Sequence, residues 1–206
     1  MIAITDDEVV DQLVSRQPLA LLVSVANDGQ MVTPLPLILQ REEGGRSVLI
    51  GHMARANSHV AVLRANPRAL AIFLGPNHYL SPSWLDDRSQ APTWYYAAAY
   101  IEIAVEFDDS SSAALGAVKR LTEHMEAGGE DAWQVDEMGA RADRLMPHIV
   151  AFRASVLEMR TRYKLGQADR DDVFEQALVA FERLGEADLV AAMKAVNAKR
   201  SASLVS

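Results

Sequence analysis

Short apolar runs alternate along the chain with polar, turn-forming clusters, and the spacing inside each run separates strand from helix. Thr5 and Glu8 stand at the spacing of a capping box, and Val9, Val10, Leu13 and Val14 follow at the helical period. This predicts a helix to about Gln17, stopped by Pro18. Leu19 to Ala26 is nearly continuous apolar sequence, Asn27-Asp28-Gly29 supplies residues that tolerate positive φ, and Met31 to Gln40 is apolar again. A hairpin with one buried strand is expected there. Pro34 and Pro36 cannot donate to a ladder, so the second strand should be an edge, bulged or bent, as at a barrel corner.

Arg41 to Arg46 reads as a polar connection and Ser47 to His52 as a third strand. Ala56 to Ala65 suits a helix ending before Pro67, and Ala69 to Leu74 a fourth strand. Gly75 to Thr93 is rich in Gly, Pro, Ser and Asp yet carries Tyr79 and Trp84, a mix that points to an ordered, functional loop. Trp94 to Phe107 predicts a long strand, Ser111 to Met125 a helix, Ala140 to Leu145 a shorter one, and Ile149 to Leu165 one or two closing strands. From Asp169 the period becomes helical through Val173, Phe174, Ala177, Leu178 and Phe181, breaks at Gly185, and resumes from Leu189 to Lys199. The expected fold is mainly β, with about six antiparallel strands and flanking helices, closed or partly closed into a barrel. Residues 1–168 would form the barrel domain and 169–206 a C-terminal helical extension of it.

Composition narrows the class. A chain of 206 residues, 50% hydrophobic and 23% charged, can bury one ordinary core and fits neither disordered nor membrane classes. The formal net charge of -8 repels polyanions, which disfavours direct DNA binding. No cysteine is present, so disulfides, thiolate catalysis and Cys-ligated metals are excluded, in keeping with a reducing compartment; a cytoplasmic location is expected. Acidic residues stand where a signal peptide would carry Lys or Arg, and the apolar runs fall short of the roughly 20 residues of a membrane span, so no membrane association is expected.

The sequence contains no Gly-x-Gly-x-x-Gly fingerprint, P-loop, His-Glu-x-x-His or Gly-x-Ser-x-Gly elbow. No catalytic residue and no metal ligand is assigned. His124 with Glu123 and Glu126 is a poor metal set, because sequence neighbours do not share a helix face, and reads as a solvated helix end. Lys194, Lys199 and Arg200 read as cations at a helix C-terminus rather than a DNA-binding arm. Three polar and aromatic clusters remain: Gly51-His-Met-Ala-Arg-Ala-Asn57, then Gly75-Pro-Asn-His-Tyr-Leu-Ser-Pro-Ser-Trp84 with Pro92-Thr-Trp-Tyr-Tyr96, and Tyr163-Lys-Leu-Gly-Gln167.

In this order the clusters resemble the PaiB-like family, usually described as FMN-binding negative transcriptional regulators, from about Pro18 to Gln167. The resemblance implies an FMN-binding split barrel that forms a homodimer with flavin sites at the subunit interface. Arg55 offers a planar fork to the FMN phosphate, and Asn57, Ser58 and the amides of the following helix start could add bonds to the same anion. Tyr79, Trp84 and Trp94 offer a flat apolar wall for the flavin ring, with Ser81, Ser83 and Thr93 as donors for its carbonyl edge. Lys164 could approach the ring or the phosphate, Gln167 could donate to a ring carbonyl, and His52 stands at a strand end facing either ligand or core.

Each residue also has a plainer reading: Arg55 in a surface ion pair, His52 packed, Trp84 and Trp94 in core or interface, Ser81 and Ser83 in turn bonds beside Pro82. The chain departs from the family pattern at Trp94-Tyr95-Tyr96, where Trp-Asn-Tyr is usual. Lys164-Leu-Gly-Gln-Ala168 stands in place of Lys-Leu-Ser-Gln-Asn, and Leu121-Thr-Glu-His-Met-Glu126 in place of Leu-Thr-x-x-His-Glu. Three functions stay open: a flavin-binding regulator or sensor without turnover, an FMN-dependent oxidoreductase taking hydride from a nicotinamide, and a dimeric scaffold that has lost its flavin.

Overall fold

The computed structural model describes residues 7–26 and 29–197. Thr5 and the Glu8 side chain of the expected capping box, the turn residues Asn27 and Asp28, and Lys199 and Arg200 lie outside the described residues. Helix α1 spans Asp7–Arg16 and leads into strands β1 (Leu19–Ala26), β2 (Gly29–Pro36), β3 (Ile38–Arg41) and β4 (Ser47–Ala54). After α2 (His59–Ala65) come β5 (Arg68–Leu80) and β6 (Thr93–Asp108), then α3 (Ser111–Met125), α4 (Ala140–Leu145), β7 (Ile149–Lys164), α5 (Asp171–Arg183) and α6 (Ala187–Val196). The seven strands form one sheet in the order β2-β1-β5-β6-β7-β4-β3.

The strand count differs from the expected six because the run from Met31 to Gln40 is divided. Pro36 ends the β1–β2 ladder, Leu37 N donates to Pro18 O at 2.9 Å, and the chain re-enters the sheet as β3 against β4. The prolines thus sit on an edge strand, as their missing N–H requires. Since β2 and β3 are the two edges of the sheet and one residue joins them, the edges must approach each other there. This is a sheet curled to a split barrel. Two further differences are of length: β5 runs on through Gly75 and Pro76 to Leu80, where a loop was expected, and α2 begins at His59 instead of Ala56.

The chain forms two compact units. The first comprises Asp7–Phe73 and Tyr100–Arg160, and its core holds Leu22, Leu37, Leu49, Phe73, Ile101, Ile103 and Phe152. Gly51 is required inside it: a Cβ there would lie 2.5 Å from Leu37 Cδ2 and 2.7 Å from Phe152 Cζ. Arg41 ties α1 to the β3–β4 hairpin, donating to both Asp11 carboxylate oxygens and, at 2.7 Å, to Ser47 Oγ. His124, at the partly exposed end of α3, donates from Nε2 to Ser15 O of α1 at 2.7 Å.

The second unit comprises Leu74–Ala99 and the chain from Thr161 onward. Tyr95, Leu165, Phe174, Ala177, Phe181, Leu189 and Met193 are buried in it. Helix α5 turns its Val173, Phe174, Ala177 and Phe181 face inward. The expected break at Gly185 is a Schellman turn: φ is +80° there, Gly185 N bonds Glu182 O at 3.1 Å, and Glu186 N bonds Phe181 O at 3.0 Å. Lys194 pairs with Glu182 at 2.9 Å, which ties α6 back to α5. No helix of the described residues is long and apolar enough to cross a membrane.

Candidate flavin site

Eight of the expected site residues lie in the second unit and four in the first. In the second unit, β5, the 3-10 turn Pro82–Trp84 and the start of β6 bring three rings together. Tyr79 stands 6.1 Å from Trp94 and 6.4 Å from Trp84 between centroids, at 54° and 75°. Burial would favour rings like these, yet Tyr79, Trp84 and Trp94 are 39%, 38% and 53% exposed. Trp94 is held by a 3.0 Å bond from Nε1 to Asn77 Oδ1.

The polar residues beside it are largely committed to local structure. Ser81 Oγ accepts from Ser83 N at 3.2 Å and shares a 2.7 Å bond with Ser83 Oγ, so Ser81 caps the 3-10 turn and the Ser83 hydroxyl bonds that cap, the turn bonds of their plainer reading. Gln167 folds onto its own turn, accepting from Leu165 N at 2.6 Å and donating to Tyr163 O at 3.1 Å. Lys164 Nζ donates to Thr93 Oγ1, joining the ends of β6 and β7. That ammonium, with two more protons to donate, is the cation among the expected residues of this unit. Behind the wall, His78 packs on Phe181 at 5.5 Å and on Trp84 at 6.0 Å, donates from Nδ1 to Tyr79 O at 2.7 Å, and has Nε2 3.9 Å from Glu186.

Two of the departures from the family pattern, at Tyr95 and Gly166, meet at one place. Tyr95 is buried, packs on Phe181 at 5.6 Å and donates its hydroxyl to Asp169. Gly166, at φ +82°, has no room for a side chain: a Cβ would stand 2.7 Å from Phe174 Cδ2 and 3.3 Å from Tyr95 Oη. The larger residue at 95 and the smaller one at 166 are thus two halves of one packing solution.

In the first unit, His52 is half-buried on β4, and burial lowers its pKa from the usual 6.5. Asn57 Oδ1 accepts from His59 N at 2.9 Å, while Val60 N bonds Asn57 O at 3.0 Å and Ala61 N bonds Ser58 O at 3.2 Å. The amides at the start of α2, expected to face an anion, are therefore consumed within the turn. Ser58 Oγ points to Met31 Sδ at 4.0 Å. Arg55 is more fully engaged than its sequence context suggests: Nη1 donates to Asp109 Oδ1, Nη2 to Asp109 O and Ile149 O at 3.1 Å, and Nε to Pro147 O at 3.2 Å. For Arg55 the surface ion pair is what the structure contains, and a phosphate would have to replace the Asp109 carboxylate.

Asp109 and Arg64 carried no signal in the sequence, being one acid in a turn and one base at a helix end. His59 was also passed over. It is fully buried between Ser24 Oγ, 2.7 Å from Nε2, and Thr33 Oγ1, 2.8 Å from Nδ1, and burial lowers its pKa from 6.5. Among the described residues no group of three His, Asp or Glu could hold a metal.

The family described as "Putative FMN-binding domain" matches residues 2–158. The chain belongs to this family. Within it, the chain is 24% identical over 181 residues to protease synthase and sporulation protein PAI 2 of Bacillus subtilis, covering 84% of each chain. That is the PaiB-like relationship which the three clusters pointed to. It is 30% identical over 77 residues to the uncharacterized protein YKL070W of Saccharomyces cerevisiae, a match spanning 35% of this chain and 46% of that one. Among solved structures, the FAD and heme binding protein of Mycobacterium smegmatis superposes with a TM-score of 0.59 at 16% identity, over 86% of this chain and 79% of that one. The shared fold is the flavin-binding split barrel, and FMN is the cofactor of the family's domain. Tyr79, Trp84 and Trp94 offer exposed aromatic surface of the kind a flavin ring needs, although their planes are tilted to one another; the Arg55 fork would take a phosphate only with its carboxylate partner moved.

Proposed function

We propose that this protein is a cytoplasmic, homodimeric FMN-binding sensor that regulates gene expression without catalytic turnover. The observation that carries it is the wall of Tyr79, Trp84 and Trp94, which leaves three large rings open to solvent in a protein of an FMN-binding family. In the bound state these rings would cover the flavin, with Lys164 and Thr93 at its polar edge. FMN would contribute a redox-active ring whose charge and shape change on reduction, and the protein would supply its walls, its polar contacts and a shield from water.

The homodimer draws on a second feature. On β1 the side chains of Leu19, Leu21 and Val25 are 65%, 46% and 69% exposed, and Val32 on β2 is 50% exposed beside Val23. An open apolar stripe of this kind on a sheet marks a contact surface. A regulatory role accords with the resemblance to the PaiB-like regulators and with the PAI 2 relative, a protein named for sporulation. The formal charge of -8 argues that regulation runs through a protein partner rather than through a grip on DNA.

The test is to purify the protein without added cofactor, record its visible spectrum and its mass by light scattering, titrate FMN, and add NADH or NADPH without oxygen. Dimers that bind FMN and are not bleached by nicotinamide agree with the sensor. Bleaching assigns an oxidoreductase instead, and a colourless protein that ignores FMN leaves only a scaffold.

A further inference from the structure

A groove of about 680 Å³ runs along α5 in the second unit, opposite the 3-10 turn Pro82–Trp84. Its floor is the outer face of α5, where Glu175, Val179 and Arg183 follow one another at four-residue steps, and its wall is Trp84 and Asp86. The volume is that of a small-molecule site. The groove shares Ser83 and Trp84 with the expected flavin residues, yet its floor is helix α5, on which no expected flavin residue lies. Trp84 is held edge to face by Phe181 of that helix, at 6.3 Å and 84°, as well as by Tyr79 of the ring wall. One end of the groove is fixed by a reciprocal pair: Asp86 N donates to Gln176 Oε1 at 2.7 Å, and Asp86 Oδ2 accepts from Gln176 Nε2 at 3.2 Å. Among the described residues, Asp86 Oδ1 and the whole Glu175 carboxylate accept no side-chain hydrogen bond and join no ion pair.

The lining is short of positive charge. Asp86 and Glu175 carry two negative charges against the single positive charge of Arg183. Arg183 stands seven and eight residues along α5 from Gln176 and Glu175, about 10 and 12 Å along the axis, so it marks the opposite end and does not neutralise the acids. Nearby cations do not supply the difference. Arg170 is held between Asp87 and Asp172, Lys194 is paired with Glu182, and Arg88 lies outside the lining. The chain's formal charge of -8 adds to the same sign and draws cations in. An ammonium group has three protons for the two carboxylates, and an apolar body attached to it would cover Trp84 and Val179, with the indole face attracting the charge as well. Arg183 at the other end opposes a second positive group.

We propose that the α5 groove binds an amphiphilic organic monoamine, with its ammonium between Glu175 and Asp86 and its aromatic or branched apolar body on Trp84 and Val179. An anion of the same shape meets two carboxylates and is held by Arg183 alone. The site does not rest on the flavin reading; it adds a second small molecule that bears on Trp84 from the side of α5.

The test is an NMR titration of the full chain with 2-phenylethylamine, and with phenylacetate as its anionic counterpart. The chain has three tryptophans, so the indole Nε1–H signal of Trp84 is readily followed beside the methyl signals of Val179 and Leu184, which also lines the groove. The amine should move all three residues. Phenylacetate should bind about tenfold more weakly or worse, and Glu175→Gln and Asp86→Asn should each raise the amine's midpoint about tenfold, the size of one charge-assisted bond.

Glu175 is exposed on a helix and glutamine is as good a helix former, so Glu175→Gln keeps the fold and decides the matter even where Asp86→Asn loosens the loop. Signals that stay still, phenylacetate bound as well as the amine, or a midpoint that Glu175→Gln leaves unchanged overturn the site. Shifts at the Trp84 and Trp94 indoles without shifts at the Val179 and Leu184 methyls put the amine on the ring wall instead, and overturn it as well.

Discussion

Tyr95 donates its buried hydroxyl to Asp169, joining β6 to the turn before α5 across 74 residues of sequence. Gly166 lies between them in the same packing: the space a side chain would take there is filled by Phe174 and the Tyr95 hydroxyl. Two positions that depart from the family pattern thus meet in one packed region.

Gly166→Ser should therefore be costly here although serine is the family's usual residue. It forces a Cβ to within 2.7 Å of Phe174 Cδ2 at a φ of +82°, and about 2–4 kcal/mol should be lost in denaturant melts. Tyr95→Phe, which removes only the bond to Asp169, should lose about 1–2 kcal/mol. If Gly166→Ser melts like the parent, the proposed complementarity of the two positions is wrong.

Trp84→Ala and Trp94→Ala should each weaken FMN and riboflavin alike by about tenfold, the scale of one aromatic stacking contact. Fluorescence titration reads this directly, because bound flavin quenches tryptophan. A loss confined to FMN would place these rings at the phosphate and not at the isoalloxazine.

Leu21→Glu or Val32→Glu puts a charge in the exposed β1–β2 stripe, where the parent side chains are 46% and 50% exposed. Light scattering should show the mass of a single chain for either variant and twice that for the parent. Since neither residue is in a core, melting curves of the isolated subunit should scarcely change. Variants that keep the parent's mass would move the dimer contact elsewhere.

His59 should make stability depend on pH. Its pKa is lowered by burial, so as pH falls below about 6.5 the unfolded chain takes up a proton that the folded chain still refuses. The stability it permits is complete above that value and declines as pH drops toward the lowered pKa of the folded state. His52 is shifted in the same direction and adds to the slope. The fall in stability between pH 7 and pH 5 should be shallower in His59→Gln, measured by urea unfolding; a slope equal to the parent's would remove His59 as a source.

Some of this was legible from local pattern alone. The strand at Leu19–Ala26, the period near 3.6 in Ser111–Met125 and the break at Gly185 are decided by residues a few positions apart, and the structure keeps all three, although the strand expected to be buried leaves Leu19, Leu21 and Val25 exposed on one face. The edge placement of the proline-bearing strand followed from a missing N–H. Likewise the string from Gly75 to Trp84 announced an ordered aromatic surface and the family with it, because a sequence neighbourhood carries those residues whole.

What the sequence determined by itself was most of the elements, the barrel class and the flavin-binding family, while the division into β2 and β3 and the extension of β5 to Leu80 were not legible in it. The tertiary structure alone decided which side chains are free to act. Arg55 meets Asp109 over 54 residues, Arg64 meets it over 45, and Tyr95 meets Asp169 over 74. No periodicity reports such pairings, since charge neutralisation and close packing depend on which surfaces the fold brings within a few ångströms, and linear spacing holds no record of that distance.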